Sequence, residues 1–221
     1  MDLINGKATV VPAIWPIDGA GAYSGDICSL KMYNHCDVVV HVGAAPGGTS
    51  VMTFDKSAAV AAATVTLAFT RILRSGFVVD YTAGSAAFTV GETVTGGTSG
   101  GTGVVVEDTG SSLYMHTTNG TAFAAAETLT GGTSASTATS TSATKNEDIL
   151  LPQTVASTFT IPAVANQTYV VPFDAADLGD GYTCLQVELG AASAGTIPLS
   201  AAYVLSEPRQ AGEPMPTAIY D

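Results

Sequence analysis

Basic residues are scarce in this sequence. Seven Lys and Arg stand against nineteen Asp and Glu, which gives a formal net charge of −12 at pH 7. A protein that binds nucleic acid needs cations to displace the counterions of the phosphates, so the composition argues against DNA or RNA as a partner. The same reasoning argues against binding to an anionic membrane surface.

Charge of either sign is also sparse. Charged residues make up 12% of the chain, about half of the roughly 25% that soluble globular proteins usually have. Ala, Gly, Ser and Thr must therefore cover much of the surface. Free monomers usually protect the edges of their sheets with lysine, and this chain has only four lysines. These features are typical of a protein whose faces are partly hidden in an assembly.

Two further classes of protein are disfavoured by what is missing. The cysteines, Cys28, Cys36 and Cys184, are odd in number and not closely spaced, so a disulfide framework is not expected. The longest apolar stretch, 58–69, is too short and too often interrupted by threonine to span a bilayer. A basic N-terminal patch followed by an apolar run is not found, so we expect a chain that is made and kept soluble in a cytoplasm.

An internal repeat is the most distinctive feature that is present. The phrase Glu-Thr-Val-Thr-Gly-Gly-Thr-Ser at 92–99 returns as Glu-Thr-Leu-Thr-Gly-Gly-Thr-Ser at 127–134, and Phe88 and Phe123 precede the two copies at the same distance. A period of this length marks one supersecondary unit used twice. Thr alternates with Val or Leu in both copies, which predicts strands with one buried and one exposed face.

The two copies of the repeat are not identical. Ala126 stands where the first copy has Gly91, and Ala135 stands where the first copy has Gly100. These departures lead us to expect that the second unit is degenerate or incompletely ordered. The stretch 131–144 looks like a Gly/Ser/Thr linker, and 134–144 is expected to be the most mobile part.

The segment around the repeat differs in composition from the rest of the chain. No basic residue occurs between Arg74 and Lys145, and the segment 76–144 holds half of the 24 glycines. We interpret 76–144 as an inserted module of short strands joined by Gly-rich turns, including a hairpin of strands 102–107 and 111–117. A disordered linker is the alternative.

The flanking segments 1–75 and 145–206 predict one antiparallel, jelly-roll-like β-sandwich that the module interrupts. The strand candidates are 26–32, 36–42, 50–54, 64–73, 157–161, 167–173, 182–189 and 198–205. The turn 190–196 is expected to be the hairpin loop between the last two strands. Residues 207–221 contain three prolines and predict an extended arm that lies on a neighbouring surface, with disorder as the alternative.

The sequence does not predict an active site. Ser99 lies in a Gly-Thr-Ser-Gly-Gly string that matches the nucleophile elbow of hydrolases. That motif needs a helix directly after the serine, and here glycine and β-branched residues follow. The second copy of the repeat loses the string. We therefore expect that the protein is not an enzyme.

Two sets of possible metal ligands also fail on spacing. The first set is Cys28, His35, Cys36 and His41. Zinc sites favour cysteine pairs two to four residues apart, and neighbours on a strand point to opposite faces. The second set is Asp174, Asp177 and Asp180, which lacks the alternate-residue ligands of a calcium loop, so turn and capping roles are expected. No metal or cofactor is predicted.

Several segments resemble small virion structural proteins of tailed bacteriophages. These segments are the opening Gly-Lys-Ala-Thr-Val-Val-Pro-Ala-Ile-Trp-Pro-Ile at 6–17, the turn Tyr-Asn-His-Cys at 33–36, and the close at 202–209 and 215–219. Members of that group are mostly short β-sandwich proteins encoded among head genes. The phrase at 88–99 is also similar to a repeat found in phage structural proteins of several kinds.

The resemblance implies a capsid decoration, or cement, protein. We expect it to be made in the host cytoplasm and to bind the major capsid protein on the outer surface of the virion, as a homo-oligomer and specifically a trimer. The acidic balance fits an outer position, because a lining protein would face packaged DNA. The alternative is a tail fibre or baseplate adhesion module whose Thr/Gly-rich loops bind a host surface glycan.

The candidate interface lies near both ends of the chain. Trp15, the only tryptophan, is expected to be a packing anchor, with an interface anchor as the functional alternative. The full set of candidate interface residues is Trp15, Pro16, Arg209, Pro214, Met215, Pro216, Ile219 and Tyr220.

Overall fold

A computed structural model describes residues 8–61, 63–82 and 84–209, except for the side chains of residues 146–148. These residues form an all-β protein with antiparallel sheets, which confirms the predicted fold class. Their strands are β1 (Ala8–Gly19), β2 (Tyr23–Ser24), β3 (Cys28–Ser29), β4 (Tyr33–Val42), β5 (Ser50–Ser57), β6 (Val65–Thr66), β7 (Arg71–Thr82), β8 (Thr93–Gly96), β9 (Thr102–Asp108), β10 (Ser112–Thr117), β11 (Thr128–Gly131), β12 (Thr137–Ser140), β13 (Lys145–Thr154), β14 (Phe159–Ile161), β15 (Gln167–Asp174), β16 (Cys184–Leu189) and β17 (Ile197–Pro208).

The chain divides into two compact units. The first comprises the residues up to Ile72 and from Thr154 onward, and the second is Leu73–Gln153. The sequence did not predict β13, which pairs with β7. Because of this pairing the second junction lies beyond Lys145, where the sequence analysis had ended the module.

The first unit contains two antiparallel sheets. One has the strand order β1-β17-β4-β15, and the other has the order β14-β5-β16-β2, with β3 paired to β16 and β6 paired to β5. Strand β4 pairs along its length with both β15 and β17. The prediction of an inner strand at 36–42 is therefore confirmed.

Alternation of side chains builds the core of this unit. In β4, Cys36, Val38 and Val40 are fully buried, whereas the residues between them are partly exposed. Strands β15 and β17 show the same period of two, because successive side chains of a strand point to opposite faces. Residues from both sheets join in one core, which includes three phenylalanines packed edge to face: Phe54, Phe69 and Phe173.

A buried tyrosine joins the two sheets. The hydroxyl of Tyr203 in β17 accepts a hydrogen bond from the Val187 N–H of β16 at 3.0 Å and donates one to the Asp26 carbonyl at 2.8 Å. The Tyr203 side chain is fully buried. Buried polar groups need such partners, so this residue fixes the spacing of the sheets through its hydroxyl.

Three predictions for the strands and turns of the first unit are wrong. The turn 190–196 is not a hairpin loop, because β16 and β17 belong to different sheets. Its backbone instead bonds to other segments; for example, Gly190 N–H donates to Val51 O and Gly47 N–H donates to Thr196 O. The single strand predicted at 64–73 is two strands, β6 and β7, and only Cys28–Ser29 of the predicted strand 26–32 is extended in a sheet.

The second unit contains a closed ring of strands. Its described residues follow the order β7-β10-β9-β8-β11-β12, and β12 pairs back to β7 through Thr139↔Thr82 and Ser140↔Tyr81. Six strands can close with every neighbour antiparallel, so no edge within this ring is left unpaired. The buried side chains of the ring are Phe77, Val79, Tyr81, Phe88, Val94, Val105, Leu113, Met115, Phe123, Leu129 and Ala138.

The structure tests two predictions for the module. Strands β9 and β10 pair antiparallel, which confirms the hairpin predicted at 102–107 and 111–117. The linker character expected of 131–144 is wrong, because Gly131 belongs to β11 and 137–140 form β12 with alternating burial. Ser136 and Ser140 are also buried and hydrogen-bonded.

Candidate functional site

Two buried glutamates organise the turns of the second unit. Glu92 and Glu127 begin the two repeat phrases and are 5% and 2% exposed. A buried carboxylate is tolerated only when its oxygens accept hydrogen bonds. Each one accepts a bond from the backbone three residues upstream, from Thr89 N–H at 2.6 Å and from Ala124 N–H at 2.7 Å.

The remaining partners of each glutamate come from the other copy of the repeat. Glu92 accepts the N–H groups of Thr133 and Ser134 at 2.9 and 2.8 Å and the Ser134 hydroxyl at 2.7 Å. Glu127 accepts the matching groups of the first copy at 3.0, 2.9 and 2.9 Å. We call this exchange the reciprocal clamp; it consists of Glu92 with Thr133 and Ser134, and Glu127 with Thr98 and Ser99.

Glycine is required where the carboxylates approach the chain. A Cβ atom on Gly96 would lie 2.6 Å from Oε1 of Glu127, and one on Gly131 would lie 2.8 Å from Oε2 of Glu92. Real Cβ atoms do not come that close to other atoms. The Thr-Gly-Gly-Thr-Ser phrase therefore combines backbone donors with space for a carboxylate, as in the anion-binding nests of other proteins.

The expectation that the second copy is degenerate is wrong. Ala126 and Ala135 adopt the left-handed conformation of their counterparts, with φ of 60° and 56° against 87° for Gly91 and 69° for Gly100. The clamp bonds also have the same partners in both copies. The second copy therefore keeps the geometry and accepts the backbone strain that alanine brings to that region.

The clamp holds both glutamates ionised. Burial alone raises the pKa of the Glu92 carboxyl, but the hydrogen bonds outweigh burial, those of Ser134 most, and bring the pKa down to about 2. The pKa of Glu127 is lowered in the same way against its burial, chiefly by the Ser99 backbone. A carboxylate saturated with donors is a structural anion. The hydroxyl of Ser99 donates to Glu127, and this gives Ser99 a role in the fold.

Sequence reasoning noticed the repeat but did not single out its glutamates. The available signal was an acidic residue opening each phrase in a segment without a basic residue between Arg74 and Lys145. With no cation near in sequence, backbone N–H and hydroxyl groups remain as the donors for a buried carboxylate. The Gly-Gly-Thr-Ser part of each phrase supplies those donors.

Threonine hydroxyls form rows on the outside of the ring. Thr95 lies opposite Thr102 on one side and Thr130 on the other, and Thr130 also lies opposite Thr137. A second row consists of Thr82, Thr139 and Thr128. We call the exposed set the threonine array: Thr82, Thr93, Thr95, Thr128, Thr130, Thr137 and Thr139.

The candidate zinc ligands are separated by the strands that carry them. Cys36 is buried, whereas His35 lies on the other side of β4 between the carboxylates of Asp174 at 2.8 Å and Asp37 at 3.3 Å. Burial and the neighbouring Cys184 raise the pKa of the Cys28 thiol to about 12, so it stays a thiol. Within the described ranges no group of three or more His, Cys, Asp or Glu could hold a metal ion.

Of the aspartates considered as calcium ligands, Asp177 has the capping role expected of it, at the 3₁₀ turn Ala175–Leu178. The carboxylate of Asp177 accepts the N–H of Asp174 at 2.8 Å, at the start of the 3₁₀ turn. The ring N–H of His35 also donates a hydrogen bond to Asp174. Burial by itself lowers the pKa of His35, but the hydrogen bond to Asp174 and the carboxylate of Asp37 outweigh burial, so this pKa is raised. Asp174 and Asp180 line an open depression with Glu207 and Arg209.

The two outer faces of the sandwich differ in chemistry. On the sheet β1-β17-β4-β15, Val39 lies in register between Ala202 and Val170, and Asp37 lies between Val204 and Pro172. The five uncharged residues are partly exposed and do not belong to the core. We call them the apolar face: Val39, Val170, Pro172, Ala202 and Val204. The other sheet instead presents mainly polar and acidic residues, together with the exposed Val51; the polar and acidic ones are Thr53, Asp55, Thr160, Gln186 and Glu188.

The candidate interface residues fall into two groups. Trp15 is 69% exposed and Pro16 is exposed, in the part of β1 where the register with β17 shifts. The packing role first expected of Trp15 is therefore wrong. Arg209 is exposed, and its N–H donates to Met32 O at 3.0 Å. The other candidates lie outside the described residues: Pro214, Met215, Pro216, Ile219 and Tyr220.

Among the residues that the structure describes, no helix has the length and apolar character needed to cross a bilayer. Comparison of the chain with protein-family models, with curated proteins and with solved structures finds no match. Arguments about function therefore depend on the surfaces of this molecule.

Proposed function

We propose that this chain is a structural virion protein of a tailed bacteriophage that decorates the outer surface of the capsid. It binds the major capsid protein as a homo-oligomer, a trimer in the simplest case, and stabilises contacts between capsid subunits. The sequence resemblance at both ends of the chain motivates the proposal. The low charge and the all-β fold are compatible with it.

The observation that carries the proposal is the exposed edge of the first unit. Trp15 is 69% exposed on β1, which is the last strand of its sheet and contains Pro12 and Pro16. Prolines are tolerated on edge strands because those strands need fewer ladder bonds. A large exposed aromatic residue that the core does not use is typical of the anchors that dominate protein interfaces.

A decoration role also explains why one weak contact would suffice. Many copies on one lattice reinforce one another, so each copy needs an interface of no more than about 1,200–2,000 Å² in total area. Net negative charge directs the protein away from the DNA inside a head and toward its outside. In this proposal the edge around Trp15, Pro16 and Arg209 contacts the capsid.

The test is binding of the purified chain to heads. We expect it to saturate expanded heads at on the order of hundreds of copies per particle, with less binding to unexpanded procapsids. Trp15→Ala should weaken binding by about thirtyfold, the effect of losing an interface anchor. The matched control is Val90→Ala, which removes a side chain that is 66% exposed in the second unit. Equal binding by both variants, or a copy number of a few per particle, would contradict the proposal.

The threonine array supports a second candidate, an adhesion module of a tail fibre or baseplate that binds a host surface glycan. Its hydroxyls can donate and accept hydrogen bonds, and they are arranged in rows on neighbouring strands. Under this alternative, Thr95→Val and Thr130→Val together should abolish binding to host cells or glycan arrays and leave binding to heads unchanged. The same pair of changes at Thr89 and Thr109, outside the array, is the control.

A further inference from the structure

We propose that the apolar face is the surface on which a second copy of this chain binds. The inference specifies the contact within the homo-oligomer of the proposed function, and it rests on that proposal only for the expectation that copies associate. It assigns self-association to the face of the sheet, and leaves the edge around Trp15 to the capsid.

The distribution of charge indicates a second copy as the occupant. The chain carries nineteen acidic and seven basic residues, so most surfaces of one copy repel the same surfaces of another. Among the described residues of β17, β4 and β15, the solvent-accessible carboxylates are Asp37 and Asp174, which both contact His35, and Glu207, which lies near the end of β17 and lines a depression with Arg209. A second copy seated on Val39, Val170 and Ala202 therefore meets one carboxylate at the centre of the face, Asp37, and this carboxylate already contacts His35.

The opposite face of the sandwich shows what self-contact would otherwise cost. Asp55 and Glu188 are neighbours on β5 and β16, and the pKa of Glu188 is raised by burial and by Asp55. These carboxylates already repel each other within one copy. A second copy seated on them would add two more negative charges and remove water from all four, which is unfavourable.

The size of the sheet fits a contact between proteins. Three strands, β17, β4 and β15, lie about 4.8 Å apart and extend by about 3.4 Å per residue, so over the length of 198–206 they give a face of roughly 400 Å². A stable interface buries about 800 Å² on each partner. The face thus supplies about half of that area, and its central residues other than Asp37 are uncharged, as is usual in interface cores. We expect association in the micromolar range.

Sedimentation velocity of the full chain, without heads, tests the inference. We expect a mass above that of the monomer, rising with concentration up to about 100 µM. Raising the salt from about 50 to about 500 mM should strengthen association, because it screens the repulsion between two acidic chains and leaves the apolar contact intact. A contact made by opposite charges would weaken instead.

Two variants of the same residue type locate the contact. Val39→Glu adds a negative charge at the centre of the apolar face and should weaken association by about tenfold or more. Val51→Glu, at a valine 44% exposed on the other sheet, should leave association unchanged. Val39→Thr keeps the β-branched shape and should give an intermediate effect even if the glutamate variant does not fold.

Three results would overturn the inference: a monomer at all concentrations and both salts, equal weakening by Val39→Glu and Val51→Glu, or association that falls as salt rises. A monomer that still binds heads would overturn this inference and leave the capsid proposal standing. An oligomer that responds to Val39→Glu and to salt as expected, but that does not bind heads, would support this inference and contradict the capsid proposal.

Discussion

The two units of this chain are stabilised in different ways. Among the described residues, the core of the first unit contains 29 buried hydrophobic residues and that of the second contains 11. The balance of buried polar groups is reversed. Of the residues described, Ser50 and Gln167 are the buried polar ones in the first unit, whereas the second has Arg74, Ser75, Glu92, His116, Glu127, Ser136 and Ser140.

The difference shows how a short, glycine-rich repeat can specify a fold. Small closed rings of strands enclose few side chains, so apolar burial alone gives them little stability. The second unit adds a polar network in which each copy of the repeat completes the other. Such networks are stabilising when fully satisfied and strongly destabilising when a single partner is lost. The second unit should therefore be the more sensitive to single polar changes and to acid.

The largest expected effect is the loss of one clamp carboxylate. Glu92→Gln keeps the shape but places an amide N–H₂ among the N–H donors of Thr89, Thr133 and Ser134, so buried donors lose their acceptor. We expect the second unit to lose about 3–5 kcal/mol of stability. Hydrogen exchange followed by mass spectrometry reports the loss of protection for peptides of 73–153.

The matched control for this change is Glu107→Gln. Glu107 is an exposed glutamate in β9 of the same unit, and its replacement should change stability by less than about 0.5 kcal/mol. Peptides of the first unit should keep their protection in both variants. Equal effects of the two changes would show that the reciprocal clamp does not stabilise the ring.

The second largest expected effect is a difference between the two units in how their stability changes with pH. Burial and the nearby Arg74 lower the pKa of His116 to about 4, below its ordinary value of 6.5. The neutral form is thus favoured by the fold, and stability is lost as pH falls from about 6.5 toward 4, by on the order of 2–3 kcal/mol. The lowered pKa of Glu92 adds a further loss as pH falls from 4.5 toward 2.

The first unit should respond in the opposite direction above pH 5. The raised pKa of His35 means that its contribution is complete below 6.5 and is lost as pH rises through the pKa of the folded state. When the pH is lowered from 7.5 to 5, hydrogen-exchange protection factors should therefore fall in the second unit and stay constant or rise in the first. His116→Gln should remove the part of the second unit's loss of stability that occurs between pH 6.5 and 4.5. A parallel fall in both units would contradict this account.

A smaller effect is expected in the larger core. Tyr203→Phe leaves the Val187 N–H without its acceptor and the Asp26 carbonyl without its donor, inside a protein that keeps its apolar packing. We expect a loss of about 1–3 kcal/mol in the first unit. Tyr114→Phe, at a partly exposed tyrosine of β10, is the control and should be close to neutral by urea unfolding. A neutral result at Tyr203 would mean that its hydroxyl does not hold the sheets together.

Local pattern predicted more of this molecule than its long-range pairing. Alternation in the repeat phrase identified the buried Val94 and Leu129, and the strands predicted at 102–107 and 111–117 form the β9–β10 hairpin. The crossing of 190–196 between sheets was missed because a glycine-rich turn between two strands looks the same whether the strands pair or separate. Trp15 was misjudged because its exposure depends on where β1 lies in its sheet.

The reciprocal clamp could not be predicted from the sequence either, because it also depends on long-range strand pairing. Spacing shows that Glu92 and Glu127 occupy equivalent positions, but it does not show that each one binds the turn of the other copy. That exchange depends on the ring order, in which β8 and β11 are neighbours. The apolar face has the same origin, because Val39 becomes one of its members only when β4 is flanked by β15 and β17.

The smallest expected effect compares the two copies of the repeat directly. Ala126 has a φ of 60°, where its counterpart Gly91 has a φ of 87°. Alanine with a positive φ is strained by about 1 kcal/mol. Glycine removes this strain, but it also raises the conformational entropy of the unfolded chain, which costs a somewhat smaller free energy of folding. Ala126→Gly should therefore stabilise the second unit by up to about 0.5 kcal/mol. Ala125→Gly, at the exposed neighbour without a positive φ, should destabilise it by about 0.5–1 kcal/mol. The measurement is the change in the free energy of unfolding in urea. If Ala126→Gly raises it and Ala125→Gly lowers it, the second copy keeps its turn although alanine disfavours a positive φ. Changes of the same sign would contradict this.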